Sequence, residues 1–233
     1  MQQAQQLAAY LKVIEPPPEL IFSSPFYRCL QTAAPTADIL DLNVVLEPGI
    51  GEWYKPTRPV IPEPASFENL SEFFPRLDNS LWKDPVIIPS KLGEDEQEIF
   101  ERCKSFWPLF LERVDKLYPQ VTTVLFITHA ASKIALGMSL LGFKGVRSYL
   151  NERGDLLRSG ACAIDTYQFN QMDDSWKLTV NGYTDHLTDG EEMNWNFLNG
   201  HEAGSDEDIR ARILAEQAKK DNTSNTINGL LKN

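Results

Sequence analysis

Three residues of this 233-residue chain pair chemically useful side chains with places at the ends of apolar runs: Arg28, Glu52 and His129. Arg28 follows Leu20-Ile21-Phe22 and the turn Ser23-Ser24-Pro25, which puts it in the opening turn of the next helical stretch. A cation there opposes the helix dipole by about 0.3 to 1 kcal/mol when exposed, a cost that is offset if Arg28 and free backbone N–H groups share an anion. Alone, it is also the surface arginine paired with a carboxylate that such positions commonly hold. His129 lies in Thr128-His129-Ala130-Ala131-Ser132, where an apolar strand turns into an apolar helix. Imidazolium is disfavoured near a helix N-terminus unless an anion is close, which suits phosphate binding or proton handling; a hydrogen-bonded structural histidine fits the same place. Glu52, in Glu47-Pro48-Gly49-Ile50-Gly51-Glu52-Trp53, has an aromatic neighbour expected to lower local polarity and raise its pKa toward a general acid's range. Taken singly it is an ordinary loop glutamate. An arginine, a glutamate and a histidine at three strand ends together favour a phosphate-handling site.

Other signals fail. Gly137, Gly142 and Lys144 loosely echo a phosphate-binding loop, but Phe143 intrudes and the run lies in or after a helix instead of opening one. Neither a G-x-S-x-G elbow nor H-E-x-x-H is present, so serine hydrolase and zinc protease readings lose their main support. Cys29, Cys103 and Cys162 are far apart and form no metal or disulfide pattern, which fits thiols in a reducing compartment. Sequons at Asn69 and Asn222 carry little weight without a secretory signal.

The elements that must position these residues follow from periodicity. Gln2 to Val13 is an amphipathic helix pattern with Leu7, Tyr10, Leu11 and Ile14 on one stripe, stopped by Pro16-Pro17-Pro18. Leu20 to Phe22 is a short buried strand; Ser23-Ser24-Pro25 then signals an N-cap, with a helix to about Leu40, kinked at Pro35. Asn43 to Leu46 is a second strand. Glu47 to Leu92 holds eight of the fifteen prolines and is predicted to be a long insertion with one or two short helices, of a length that suits a lid over a pocket. Glu94 to Leu117 is a helix interrupted or kinked at Pro108, Val121 to Ile127 a fully buried strand, and Ala130 to Leu141 an apolar helix. Ala161 to Phe169 and Trp176 to Val180 are strands, the last followed by an Asn181-Gly182 turn. Asp206 to Lys220 is a helix and Asp221 to Asn228 a disordered stretch by composition. This alternation, without internal repeats, predicts an α/β layer sandwich.

Length and 42% hydrophobic content allow one substantial core. With no apolar run of about 18 residues and no charged-then-apolar leader, a soluble intracellular protein, cytoplasmic or nuclear, is expected, with no membrane partner. A net charge of -11 repels nucleic acid and acidic membranes, so direct nucleic-acid binding is not expected and an anionic ligand needs a local basic pocket.

The run Ile21-Phe22-Ser23-Ser24-Pro25-Phe26-Tyr27-Arg28-Cys29-Leu30-Gln31-Thr32-Ala33 closely resembles the S-S-P-x-x-R-x-x-Q-T-A segment of histidine phosphatases of the phosphoglycerate-mutase-like superfamily. Val124-Leu125-Phe126-Ile127-Thr128-His129-Ala130 resembles that superfamily's second histidine motif. Glu47 to Trp53 is similar to the E-P-G-x-x-E-W stretch of the branch holding the Sts-type phosphatases and the fungal phosphatase-domain tau subunit of transcription factor TFIIIC. The stretch from Asn181-Gly182 through His186-Leu187, Gly190-Glu191-Glu192 and Asn194-Trp195 resembles the end of the fungal domains; the likeness spans roughly Gln2 to Phe197.

The resemblance implies a three-layer α/β sandwich, a phosphohistidine intermediate and no metal or cofactor. By position it assigns phosphate binding to Arg28 and His129, and the catalytic second histidine and proton donor to His129 and Glu52. Relatives open with a strand ending in R-H-G that supplies the nucleophile, and no Arg-His pair occurs in this sequence. His186 and His201, in polar C-terminal segments, are poor substitutes. Met1 to Leu7 resembles the helix after that strand, so the chain is expected to begin partway through the fold, lacking the first core strand and the nucleophile. The expected division is a phosphatase-like domain over 1–200 and a polar tail over 201–233. The implied partners are a phosphorylated small molecule or phosphoprotein and, by the branch, TFIIIC subunits. Three readings stay open: a phosphomonoester hydrolase, a non-catalytic scaffold on the same fold, and an unrelated α/β binding domain; the retained Arg28, Glu52 and His129 favour the enzyme.

Overall fold

The computed structural model describes residues 1–202, 205–211 and 213–214. Its first compact unit is Met1–Asn196, and a second begins at Phe197. Helix α1 (Gln2–Leu11) buries Ala4, Leu7, Ala8 and Leu11, the three- and four-residue spacing of an amphipathic helix. Strand β1 (Leu20–Ser23) is wholly buried, and α2 (Tyr27–Leu40) carries Pro35 inside it and ends at Asp41 in the left-handed region, φ 54°. Strand β2 (Val44–Leu46) follows, then a 3-10 turn at Pro48–Ile50 and the short α3 (Phe67–Ser71) within the proline-rich segment.

Helix α4 (Glu96–Leu117) starts from a capping box, in which the Asp95 carboxylate accepts from two backbone N–H groups and Glu98 reaches back to Asp95; the helix continues through Pro108. Strand β3 (Val124–Ile127) and α5 (Ala130–Leu140) come next, then a hairpin of β4 (Ile164–Asn170) and β5 (Ser175–Tyr183).

Strands β2, β1 and β3 form a parallel sheet in that order, with Ile21 opposite Val44 and Leu125, and Phe22 opposite Val45 and Phe126. Because side chains alternate along a strand, this register splits the core in two. Ile21, Val44, Leu46 and Ile127 meet Leu7 and Leu11 of α1 and Leu30, Ala33 and Ala37 of α2. Phe22 and Phe126 turn the other way, onto Phe110 of α4, with ring centroids 4.9 Å apart in each pair, and Trp82 closes on Phe22 at 4.7 Å. Helices on both faces of a parallel sheet make the α/β layer sandwich that the strand-helix alternation predicts, with the three layers that the family resemblance implies. Each wholly buried aromatic contributes about 1.5 to 3 kcal/mol.

Three local expectations are corrected. Strand β3 starts at Val124, and Val124, Leu125 and Phe126 are half-buried, not fully buried; among the described residues β3 pairs only with β1 and forms the sheet's edge. Asn181-Gly182 is not a turn but lies inside β5, where Gly182 takes φ 61° and donates to Asp165 Oδ1 at 2.7 Å, while Asn181 accepts from Arg158 N and donates to Leu156 O. The Ser23-Ser24-Pro25 turn does not cap α2, whose N-cap is Phe26 without a side-chain bond.

At the far end of the unit, α1 is held by residues 183–192. The Tyr10 ring packs on Tyr183 at 4.9 Å and on His186 at 5.1 Å, Gln6 donates to Thr188 Oγ1 at 2.7 Å, and Gln3 donates to Glu192 at 2.8 Å. In the second unit, residues 206–211 and 213–214 are helical; the rest of the helix expected to Lys220, and the stretch to Asn228, lie outside the described residues. Among the described residues no helix is long and apolar enough to cross a membrane, and no group of three or more His, Cys, Asp or Glu side chains could hold a metal ion.

Candidate functional site

Three parallel strands end on the same side of the sheet, so the segments leaving β1, β2 and β3 converge there. The first carries Ser24 and leads into α2, where Arg28 is the second residue; the second carries Glu52; the third carries His129, the N-cap of α5. The structure brings all three together. Glu52 Oε2 accepts from Arg28 Nη2 at 2.9 Å and lies 3.0 Å from His129 Nδ1, while Glu52 Oε1 accepts from the Trp53 N–H at 2.9 Å. The other imidazole nitrogen, His129 Nε2, is 2.8 Å from Ser24 Oγ and 3.5 Å from Cys29 Sγ. The Phe26 ring stands edge-on to the imidazole at 5.4 Å and carries the Arg28 guanidinium over its face at 4.8 Å. Arg28 also shares a hydrogen bond with Tyr54.

Exposure separates the roles. The side chains of His129 and Glu52 are 3% and 10% exposed, whereas that of Arg28 is 52% exposed. The guanidinium is thus the part of the cluster that faces solvent. Burial alone would raise the Glu52 pKa, but the charge and hydrogen bond of His129, then the charge of Arg28, outweigh it and hold the carboxyl below its ordinary range. The aromatic neighbour expected to raise this group is therefore overruled by two cations. His129 is the mirror case. Burial would lower its pKa, but the Glu52 charge, with a smaller part from Cys29, brings it up to about 9. At neutral pH the ring is an imidazolium that donates from Nδ1 to Glu52 and from Nε2 to Ser24.

The loop that carries Glu52 is fixed carbonyl by carbonyl. Arg102 Nη1 donates to Gly49 O at 2.7 Å, Thr128 Oγ1 to Ile50 O at 2.6 Å, and Ser132 Oγ to Gly51 O. Arg102 is itself clamped on both oxygens of buried Glu94 at 2.7 and 2.8 Å, and Glu94 O accepts from the Trp53 indole at 2.7 Å. From inside, the Glu47 carboxylate accepts from Gly49 N, the Trp82 indole and Val86 N at 2.6 to 2.9 Å. Gly49 has no room for a side chain: a Cβ would stand 2.8 Å from the Glu47 carboxylate and 2.9 Å from Phe106.

Sequence reasoning missed Ser24, Cys29, Tyr54, Arg102, Thr128 and Ser132 as members of this cluster. Ser24 has a signal in the S-S-P run, though its hydroxyl serves the imidazole and not a helix cap. Arg102 has none, since an arginine inside an amphipathic helix ordinarily faces water. His186 packs on Tyr10 and Tyr183.

The model of the histidine phosphatase superfamily, branch 1, matches residues 1–149. The transcription factor tau 55 kDa subunit of Saccharomyces cerevisiae is 50% identical over 238 residues, which cover 93% of this chain and 54% of that protein. The ecdysteroid-phosphate phosphatase of Drosophila melanogaster is 28% identical over 167 residues, 68% of this chain and 21% of that protein. The chain thus spans about half the length of the first relative and less of the second. In structure, the ecdysone phosphate phosphatase of Bombyx mori, solved with tungstate, matches with a TM-score of 0.59 at 21% identity, over 77% of this chain and 69% of that one, which is a likeness of fold. With its strand-end segments, parallel sheet and family match over residues 1–149 in agreement, the chain belongs to the histidine phosphatase superfamily, branch 1.

Proposed function

We propose that Arg28, Glu52 and His129 form the anion-binding and proton-donating part of a phosphomonoester hydrolase site of the histidine phosphatase type. The observation that carries this reading is the single Glu52 oxygen lying within 3.0 Å of both an arginine and a histidine from other segments. Arg28 and imidazolium His129 bind and neutralise phosphoryl oxygens, and a protonated Glu52 gives its proton to the leaving oxygen as the P–O bond breaks. The histidine that attacks phosphorus is not among these 233 residues, so turnover requires one from outside them. Water then hydrolyses the phosphohistidine, with Glu52 taking a proton back. Neither step calls for a metal.

A second reading is a non-catalytic phosphatase-like module within the RNA polymerase III factor TFIIIC, in the nucleus. It is supported by the 50% identity to the yeast tau subunit. The two are separated by assaying the product of the gene's longest transcript on p-nitrophenyl phosphate without added metal. Turnover that is lost in His129→Ala supports the hydrolase. An inactive product that co-purifies with TFIIIC subunits supports the module.

A further inference from the structure

Glu52 fills the place that its partners would offer to a ligand. One carboxylate oxygen takes the inward donors of both Arg28 and His129, at 2.9 and 3.0 Å, and the second takes the Trp53 N–H. An oxyanion approaching the exposed guanidinium therefore meets a carboxylate already bound there, and like charges at that distance exclude one another. Three ways out are open: withdrawing the loop, rotating the side chain, or neutralising the carboxylate.

The loop route is closed by the three carbonyl contacts from Arg102, Thr128 and Ser132, which come from two helices and a strand end and fix the backbone just ahead of Glu52. Rotation would carry a charged carboxylate away from both cations while its backbone stays pinned. Neutralisation keeps the side chain in place and turns it from a competing acceptor into a donor facing the ligand. We propose that an oxyanion enters the Arg28–His129 cleft together with one proton, which Glu52 takes up. The proton comes from solvent, no covalent bond is made or broken in the ligand, and the dianion replaces the carboxylate as counter-charge. This rests on the phosphatase reading of the site and says how its acid becomes charged with the proton that it later donates. The charged and titratable groups facing Glu52 are Arg28 from α2, His129 at the cap of α5, Arg102 from α4 with its partner Glu94, and Tyr54 of its own segment; Cys29 of α2 reaches it through His129. In the wild type, with the Glu52 charge beside it, the imidazole remains protonated below about pH 8, so its own titration does not imitate the effect there.

The test is sulfate binding to the full chain by calorimetry from about pH 6 to about pH 8, where sulfate stays a dianion, in buffers of different ionisation heat. Wild-type affinity is expected to fall roughly tenfold per pH unit with one proton taken up, while Glu52→Gln binds roughly tenfold or more tighter at about pH 6. The variant's fall at higher pH follows the His129 proton, which loses the raising charge of Glu52 and is tracked by NMR in the same variant. A flat wild-type profile, or a Glu52→Gln variant no tighter than wild type, overturns the inference while loss of binding in Arg28→Ala keeps the site. No sulfate binding at any pH in wild type and Glu52→Gln, or binding that survives Arg28→Ala, overturns the phosphatase reading itself.

Discussion

Glu47 and Glu52 stand five residues apart in one loop, and both carboxylates are shielded from water, yet their proton affinities move in opposite directions. Glu47 is held by two backbone N–H groups and an indole; burial raises its pKa and these neutral donors, with a weak contribution from Arg113, do not bring it back. Glu52 is held by an arginine and an imidazolium, and they overcome the same burial. Neutral hydrogen bonds satisfy a buried carboxylate's geometry, whereas cations are needed to stabilise its charge. The first glutamate shapes the loop from within; the second faces the arginine and imidazolium of the proposed site.

The largest way to break this contrast is Glu47→Ala, which strands three donors, one an indole at the centre of the aromatic layer. It should cost about 3 to 5 kcal/mol in urea unfolding, with Glu47→Gln milder because one acceptor oxygen remains. Next is the pH dependence. His129 binds its proton more tightly folded than unfolded, so its contribution is fully present below the ordinary 6.5 and is lost as pH rises toward about 9. The stability lost across that window should be on the order of 3 kcal/mol, and His129→Gln or Glu52→Gln should flatten it. Glu52 itself contributes above its ordinary 4.5 and loses that contribution as pH falls further, whereas the raised Glu47 pKa has the reverse sign and weakens the fold as pH climbs past 4.5.

Ser24→Ala should cost about 1 kcal/mol by removing the Nε2 partner, with a downward shift of the His129 titration followed by NMR. Arg28→Ala should leave stability within about 1 kcal/mol of wild type, since its side chain is half exposed, while abolishing phosphate or tungstate binding. Unchanged oxyanion affinity in that variant would remove the distinction drawn between the two glutamates.

Most of the layer architecture was legible in the sequence because its signals are local. The 3.6-residue stripe of α1 and the apolar runs of β1 and β2 each sit within a dozen residues. The edge position of β3 was not, because pairing is decided by strands more than a hundred residues apart. The residues of the site were legible as types at strand ends, but the sign of the Glu52 shift was not: Trp53 is adjacent in sequence, while the deciding cations lie 24 residues before and 77 after it. The same holds for Arg102, whose burial depends on Glu94 and on a carbonyl at Gly49.

The hold of residues 183–192 on α1 has a consequence for the order of assembly. Tyr10 finds Tyr183 and His186, and Gln3 and Gln6 find Glu192 and Thr188, only across some 180 residues of chain. Leu7 and Leu11 can pack early on α2, the next helix in sequence, but closing a loop of that length must precede the contacts with residues 183–192, which places closure of that side of α1 late. During synthesis, α1 leaves the ribosome with its companion segment unmade, so it waits undocked on that side until nearly the whole unit has been translated.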